Sequence, residues 1–445
     1  MNSRNKEKVF FLFVGDIVAL YASLFIALIL RYGSDFYNQF INSHAFPFTI
    51  IFAIWLTVFY ISGLYDLRRL RNNLDFFKTL TLAIFINGIL ATTFFYFLPI
   101  SGIAPKTNLF ISIAVFACIE IFWRRLFNKF ASSGEAPNRV LLVGNSKTAQ
   151  EISKVISTNP QFGYEIISHL SEEKTNGESS SLHSIIQEHG INVVVVPRHL
   201  KHDSNFINEL YKLLSRGVEI HDLANFYELV MRKVPLADVD EAWFIEHLIN
   251  HGRFYDQLKR AGEVLFAVLL QIAALPFEIV IILITKITSS GPVIYKQIRV
   301  GKNDKEFTLY KFRTMRIDAE KNGAQWSGTK DDRVTPFGRL LRRTHFDELP
   351  QLLNIIKGNL SFVGPRPERP EFVGPLKEKV PYYEVRLLVK PGVTGWAQIN
   401  HPADRDLEDV KQKLQYDIYY IKNRSIILDL AIIIKTVKSI FINNK

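Results

Sequence analysis

A chain of 445 residues in which 48% are hydrophobic, with 35 phenylalanines, is too apolar for an ordinary soluble protein of two or three domains, and a membrane protein is expected. The formal net charge is +11, yet no helix-turn-helix, zinc-finger or RNA-binding signature accompanies it. Much of the basic charge flanks apolar runs, which excludes nucleic acid as the partner and points to a membrane surface plus an anion site. The single cysteine, Cys118, excludes disulfides and cysteine-built metal sites within one chain and fits a reducing compartment.

Four apolar runs open the chain, near residues 9–30, 45–64, 79–100 and 107–123, each close to the ~20 residues a spanning helix needs. Asp16 interrupts the first, and Ala-x-Ala-type processing is not evident, so it is not a cleavable signal. Arg4, Lys6 and Lys8 precede the first run, Arg68, Arg69, Arg71 and Lys78 separate the second from the third, and Arg124, Arg125 and Lys129 follow the fourth. The other two loops carry only Arg31 and Lys106. The positive-inside rule therefore predicts a four-helix transmembrane bundle over residues 1–130 with both ends in the cytoplasm. Asp16 and Glu120 suit interfacial or packed acids; a transporter would need more polar residues lining the helices.

After Ala131-Ser132-Ser133-Gly134 the composition becomes that of a soluble α/β domain, residues 131–250. Arg139–Gly144 and Asn192–Pro197 read as buried parallel strands, with helices near 147–156 and 204–216 and a further strand at Val218–His221. This predicts a Rossmann-like sheet with a structural or regulatory role. The turn Gly144-Asn145-Ser146-Lys147-Thr148-Ala149 keeps only the first glycine of the dinucleotide fingerprint, which disfavours a bound dinucleotide.

Residues 264–287 are apolar enough to cross a bilayer, but Lys259 and Arg260 precede them while Lys286, Lys296 and Arg299 follow. Basic flanks on both sides, with Pro276 near the centre to kink the helix, predict a re-entrant helix that leaves the rest of the chain cytoplasmic. Beyond it, Phe307–Tyr310 reads as a short strand leading into Lys311-Phe312-Arg313. Lys311 and Arg313 on one strand face would present two cations to a lipid phosphate, or would guard a solvated edge; both readings stand. Asp331-Asp332-Arg333 reads as a turn with local ion pairs.

The stretch 338–372 concentrates the chemistry. Asp347 and Glu348 precede a predicted helix whose first turn carries Pro350, so the helix dipole is expected to hold Asp347 ionised and to attract phosphate. Arg342 and Arg343 lie upstream, and Arg366 sits between Pro365 and Pro367, a rigid turn that aims a guanidinium. An anionic nucleophile, a second carboxylate able to hold Mg²⁺ and arginines that neutralise a diphosphate suit phosphoryl chemistry. Taken alone, an Asp-Glu pair reads as an N-cap acid with surface ion pairs; the neighbouring motifs carry the chemical reading. Lys390–Asn400 adds a Pro-Gly turn, Gly395 and Trp396, which suit either close approach to a ligand or a type II turn beside a buried tryptophan. A helix carrying Lys413, Tyr416, Asp417, Tyr419 and Tyr420 follows, and Ser425–Ile442 reads as an interfacial helix.

Four motifs in this order, GPVIYKQIRVG, LYKFRTM, FDELPQLLNIIKGNLSFVGPRP and KPGVTGWAQIN, make the segment from about Asp256 to Lys445 resemble the catalytic domain of the monotopic polyprenyl-phosphate phosphoglycosyltransferases. These are bacterial sugar transferases that start O-antigen, capsule and exopolysaccharide synthesis. The preceding bundle and nucleotide-fold-like domain resemble the long form of that family, which implies a membrane protein of mixed fold with a mainly α catalytic domain, residues 251–445. The resemblance implies transfer of a sugar 1-phosphate from a UDP-sugar to polyprenyl phosphate at the cytoplasmic face of the bacterial inner membrane, with release of UMP. It implies Asp347 as nucleophile, Glu348 as its partner and Mg²⁺ ligand, Arg342 as a phosphate-binding arginine, and Arg366 of the Pro-Arg-Pro turn as a contact to the nucleotide. The long form usually implies a hexose such as glucose or galactose, with membrane lipid as a further partner and a homodimer as one oligomeric option. Leu275 stands before Pro276 where many members have serine, and Asn359 stands where aspartate is common, so no metal role is implied there. A membrane-anchored, nucleotide-sensing scaffold without catalysis is the alternative; intact Asp347, Glu348 and Arg366 speak against it.

Overall fold

Long apolar runs become helices because a backbone withdrawn from water must satisfy its own N–H and C=O groups. The computed structural model describes residues 3–65, 72–97, 106–133, 137–170, 179–248, 253–289, 291–316, 319, 333–401 and 406–442. The chain is mostly helical with three small sheets among these residues, and it divides into two compact units, Met1–Met231 and Arg232–Lys445.

The first unit opens with α1 (Ser3–Tyr32), the short α2 (Phe36–Gln39), α3 (Ala45–Ser62), α4 (Leu74–Phe97) and α5 (Lys106–Ser133). The four long helices share one core in which Leu20 and Leu24, Phe48 and Trp55, Leu80, and Phe116 are all buried. Among the described residues three stretches are long and apolar enough to cross a membrane: Glu7–Ser62, Phe76–Phe95 and, in the second unit, Phe254–Thr288. Arg124, expected among the flanking charges of α5, is instead fully buried. Its Nε donates to Glu120 Oε1 at 2.6 Å, its Nη1 to the Leu64 carbonyl at 2.7 Å, and its Nη2 to Asp16. Asp16 also accepts from the Tyr65 hydroxyl at 2.6 Å and the Trp123 indole at 3.1 Å. The two acids within the apolar runs therefore close on one arginine rather than line a path. Arg68, Arg69 and Arg71, on which part of the orientation rests, and Gly134 of the expected linker lie outside the described residues; Ala131–Ser133 continue α5.

The same unit holds β1 (Asn138–Val143), α6 (Lys147–Thr158), β2 (Tyr164–Leu170), α7 (Ser179–His189), β3 (Val193–Val196), α8 (Ser204–Leu214), β4 (Glu219–Asp222) and α9 (Leu223–Met231). The strands pair in the order β2-β1-β3-β4, all parallel. β1 and β3 are apolar because helices cover both faces of their sheet. Ser146 starts α6 by accepting the Ala149 N–H at 3.2 Å. β2, an edge strand of mixed polarity, carries too weak an apolar signal to have been anticipated from sequence.

In the second unit residues 232–248, grouped by sequence with the middle domain, pack with the C-terminal residues. The Trp396 indole donates to the Arg232 carbonyl at 2.9 Å and Val234 N–H to Gln415 at 3.1 Å. α10 (Glu241–Leu248) leads to α11 (Arg253–Thr288), a 36-residue helix that runs unbroken through Pro276. Both halves of α11 lie on the same globular body: Ala267 packs with Ile355 and Leu360, and Ile281 with Phe312 and Leu341. Its other face exposes Leu265, Leu269, Ile272 and Leu283. A hairpin of β5 (Ile294–Val300) and β6 (Glu306–Phe312) follows. Then come α12 (Pro336–Thr344), α13 (Gln351–Lys357), β7 (Ser361–Val363), α14 (Pro370–Lys379), β8 (Gly392–Thr394), α15 (Trp396–Asn400), α16 (Leu407–Lys422) and α17 (Ile426–Ile442). α17 is not free: Ile432 is fully buried and Thr436 bonds Thr394 at 2.6 Å. Asp331 and Asp332 lie outside the described residues.

The glycines of Lys390–Gly395 serve backbone packing. β8 pairs in parallel with β7, and a Cβ on Gly392 would stand 2.1 Å from the Gly364 nitrogen, a distance no side chain tolerates. The motif therefore clamps the strand that ends in Gly364-Pro365-Arg366-Pro367.

Candidate active site

Local chemistry places the acids. Thr335 caps α12 by accepting the Gly338 N–H at 3.0 Å, and Pro336 occupies the first turn. α12 ends at His345, whose φ of 58° reverses the chain. A single 3₁₀ turn, Phe346–Glu348, then carries Asp347 and Glu348 to Pro350, which caps α13. Asp347 is buried and makes no hydrogen bond among the described residues.

Glu348 is the electrostatic hub. Lys311 Nζ, from β6, donates to its Oε1 at 2.6 Å, and Arg366 Nη2 approaches the same oxygen at 3.5 Å. Asn354 fixes this register by donating to the Thr308 carbonyl at 2.7 Å and accepting the Tyr310 N–H at 3.1 Å, which locks α13 onto β6. Arg342 donates its Nε to Thr314 at 2.9 Å and lends positive charge to Asp347. Arg313 does not join this group. It follows the end of β6 and spends its Nη2 on the carbonyl and hydroxyl of Ser289, at 3.0 and 3.1 Å. The shared strand face expected of Lys311 and Arg313 is thus divided: one cation serves the acid pair, the other ties down the end of α11.

The Pro-Arg-Pro turn is held carbonyl by carbonyl. Gly392 N–H donates to Pro365 O at 2.9 Å, Arg386 Nη2 to Arg366 O at 2.8 Å, and Arg299 Nη1 to Pro367 O at 2.8 Å. Beneath it lies a buried ionic platform. Lys413 donates to Glu368 at 2.7 Å, and Arg386 meets Asp417 at 3.1 Å and the Tyr383 hydroxyl at 2.7 Å. With its backbone fixed, the Arg366 side chain remains 42% exposed, free to meet a ligand beside Glu348. The roles of Glu368, Arg386 and Asn354 were not anticipated from sequence. The spacing of Lys413 and Asp417, four apart on one helix face, was the available signal for the platform.

Environment pushes the two acids apart. Burial raises the pKa of Asp347 above the usual carboxylate range, the Glu348 charge adds to this, and Lys311 and Arg342 oppose it. The helix-dipole expectation of a readily ionised Asp347 therefore yields to desolvation. Burial would raise Glu348 too, but Lys311 and Arg366 outweigh it and hold Glu348 down to about 2. Glu348 in turn raises the pKa of Arg366. Paired acids with separated affinities for protons are an arrangement that assigns them different chemical tasks. The site also suits a hard cation. Lys311 and Arg366 both meet Oε1 of Glu348, so Oε2 and the Asp347 carboxylate are oxygen donors outside those ion pairs. Among the described residues no three His, Cys, Asp or Glu side chains form a fuller cage; a Mg²⁺ ion held here would take one or two carboxylates together with substrate phosphates.

Comparison with known proteins covers both units. The model of the bacterial sugar transferase family matches residues 254–443. A UDP-N-acetylgalactosamine-undecaprenyl-phosphate N-acetylgalactosaminephosphotransferase of Aeromonas hydrophila is 41% identical over 186 residues, 42% of this chain and 44% of that protein. An exopolysaccharide production protein of Rhizobium leguminosarum bv. phaseoli is 41% identical over 189 residues, 41% of this chain and 94% of that protein. A UDP-glucose:undecaprenyl-phosphate glucose-1-phosphate transferase of Klebsiella pneumoniae is 28% identical over 431 residues, 92% of each chain.

Proposed function

Because the chain belongs to the bacterial sugar transferase family, we propose that it moves a sugar 1-phosphate from a UDP-sugar to polyprenyl phosphate and releases UMP, as the first membrane step of O-antigen, capsule or exopolysaccharide synthesis. The observation that carries this reading is Asp347, buried and unbonded beside a Glu348 already neutralised by Lys311 and Arg366. A carboxylate that neither hydrogen bond nor ion pair engages is poised as a nucleophile.

In the first step an Asp347 oxygen bonds to the sugar-bearing phosphorus, and the phosphoanhydride bond breaks with its electron pair leaving on UMP. In the second, a phosphate oxygen of polyprenyl phosphate attacks the same phosphorus and the aspartyl–phosphorus bond breaks, which restores the carboxylate. Arg366, projecting from a turn that cannot shift, neutralises the diphosphate, and Arg342 supplies positive charge from the other side. Lys311 keeps Glu348 ionised and fixed. Glu348, with Asp347 beside it, would hold Mg²⁺, which supplies charge neutralisation to the diphosphate when bound.

Membrane placement follows from α11. Its Lys259 bonds Val363 at 2.9 Å, and Ser289 beyond its other end bonds Arg313, so these two anchor points, ~45 Å apart if the helix were straight, rest on one globular body. A helix crossing a core of about 30 Å could not return both ends to one side. This supports a re-entrant helix with the site at the cytoplasmic face of the inner membrane, α1, α3, α4 and α5 forming the crossing bundle. α5 meets the bilayer with its internal charges already paired. For the sugar we favour a hexose such as glucose or galactose, on the likeness that spans both units. The test is UMP release from UDP-glucose, UDP-galactose and UDP-N-acetylgalactosamine by purified protein with polyprenyl phosphate and Mg²⁺. Turnover that persists in Asp347→Asn would end the assignment.

A further inference from the structure

A second site lies at the opposite end of α13 from the acids. Arg260 donates Nη1 and Nη2 to the carbonyls of Ile355 and Ile356 at 2.5 and 2.8 Å, capping the C-terminus of α13, whereas Asp347 and Glu348 precede its N-terminus. Seven helical residues separate them, about 10 Å. Around Arg260 opens a cavity of about 830 Å³ whose lining includes Lys302, Lys390, Val264, Leu265 and Val268.

The charges in this cavity do not balance. Its two acids are engaged: Glu263 accepts from Ser361 and from the Phe362 N–H at 3.1 Å, and Asp256 pairs with Arg424 at 3.2 Å. Lys259 is held by Asp429 at 3.0 Å. Among the described residues Arg260, bound to neutral carbonyls, meets no carboxylate, and the side chains of Lys302 and Lys390 make no hydrogen bond or ion pair. Like-charged crowding is felt at Lys390, whose pKa falls through burial and through the neighbouring Arg260. Three uncompensated cations thus converge beside an apolar wall, and that wall continues outward along α11 as Leu265, Leu269 and Ile272, which are 64%, 56% and 61% exposed. Cations at the head of a lipid-facing apolar stripe complement an amphiphile with an anionic head.

We propose that this cavity binds the phosphate headgroup of an anionic phospholipid through Arg260, Lys302 and Lys390, with an acyl chain lying along the Leu265–Leu269–Ile272 stripe. The acceptor polyprenyl phosphate carries the same head chemistry, but a phosphate seated here stands at the wrong end of α13 to attack phosphorus on Asp347. The site therefore anchors the catalytic body to the leaflet and sets its depth, independently of turnover. The inference rests on α11 lying in the membrane and not on the identity of the transferred sugar.

Native mass spectrometry of the full-length protein in detergent tests it, with phosphatidylglycerol, phosphatidylcholine or polyprenyl phosphate added. Phosphatidylglycerol should be retained over phosphatidylcholine, and Lys302→Gln/Lys390→Gln should weaken that retention about thirtyfold. Lys302→Arg/Lys390→Arg should keep it, as should Lys286→Gln/Lys296→Gln, which removes the same charge elsewhere in the unit. Equal loss in both glutamine pairs, no loss in either, or no preference over phosphatidylcholine would overturn the site. Displacement of phosphatidylglycerol by an equal amount of polyprenyl phosphate would reassign it to the acceptor. UMP release measured on the same preparations keeps the outcomes separate: retention without turnover counts against the catalytic reading alone.

Discussion

Two clusters of buried charge, one in each unit, use the same residue types and do opposite things. In the helical bundle Asp16 and Glu120 surround Arg124, which also donates to the Leu64 carbonyl, while Tyr65 and Trp123 donate to Asp16. All three charged side chains are fully buried. In the second unit Glu348 gathers Lys311 and Arg366, yet Asp347 beside it makes no hydrogen bond among the described residues and Arg366 stays partly exposed. Among the described residues both acids of the first cluster have an ionic partner in Arg124, whereas Asp347 in the second has none. In residue type the two are alike, since each offers two acids and an arginine in or near an apolar stretch.

The sharpest contrast comes from single substitutions on each side. Asp347→Asn should reduce UMP release by more than about 10³-fold, because an amide oxygen cannot take the nucleophile's place. Its thermal midpoint should hold or rise, since the folded state no longer buries that charge. Arg124→Met should do the reverse. It strands two buried carboxylates, at a cost of about 3–5 kcal/mol, so the midpoint in detergent should fall sharply while the turnover of whatever protein remains folded stays near that of the parent. A stable Arg124→Met protein, or an unstable Asp347→Asn one, would erase the distinction between the clusters.

Why one cluster was legible and the other was not follows from how each is assembled. Asp347 and Glu348 are adjacent, and Arg342 and Arg366 fall within one motif-dense stretch, so short-range spacing exposed them. The bundle's knot spans Asp16 to Arg124 and closes only when α1 and α5 pack, which is why Arg124 was read as a flanking charge. The parallel strands β1 and β3 were evident from their unbroken valine and leucine runs, whereas β2 was hidden by its polar edge. Arg313 misled because alternation along a strand assumes the strand continues, and β6 stops at Phe312. Gly392 and Gly395 announced close approach without saying to what; the partner is the backbone at Gly364.

Between the two extremes stands the platform of Arg386, Glu368, Lys413 and Asp417, which is less enclosed than the bundle's knot and touches the site through the Arg366 carbonyl. Arg386→Lys keeps the charge and loses the fork whose Nη1 donates to Tyr383 while its Nη2 meets Asp417 and that carbonyl. Glu368, held down to about 2 by Lys413 and Arg386 against the effect of burial, should keep Lys413. The expected result is about a tenfold loss in kcat/KM, mostly in KM for the UDP-sugar, with a modest fall in midpoint. An Arg366→Lys variant should show the same KM effect with no fall in midpoint, and a double variant should lose little more than either single one. Full additivity would mean that the platform does not act through Arg366.

The smallest effect is a shift along the pH axis. In the proposed mechanism Asp347 must be ionised to attack, and its pKa is raised by burial and by Glu348, so the acid limb of kcat/KM should lie above the usual carboxylate range. Lys311 is the foremost charge that opposes this rise. Lys311→Gln should therefore move the acid limb to higher pH, and Glu348→Gln, which removes the negative neighbour, should move it lower. Stability responds with its own sign. A Glu348 held down to about 2 favours the folded state at pH above its unfolded value, and that contribution fades as pH falls toward 2. Lys311→Gln should weaken it, so the variant's midpoint should lie below the parent's at neutral pH and converge with it in acid. If instead both substitutions leave the acid limb in place while lowering turnover, the ionisation that governs the rate belongs to the substrate, and Asp347 would have to be charged throughout.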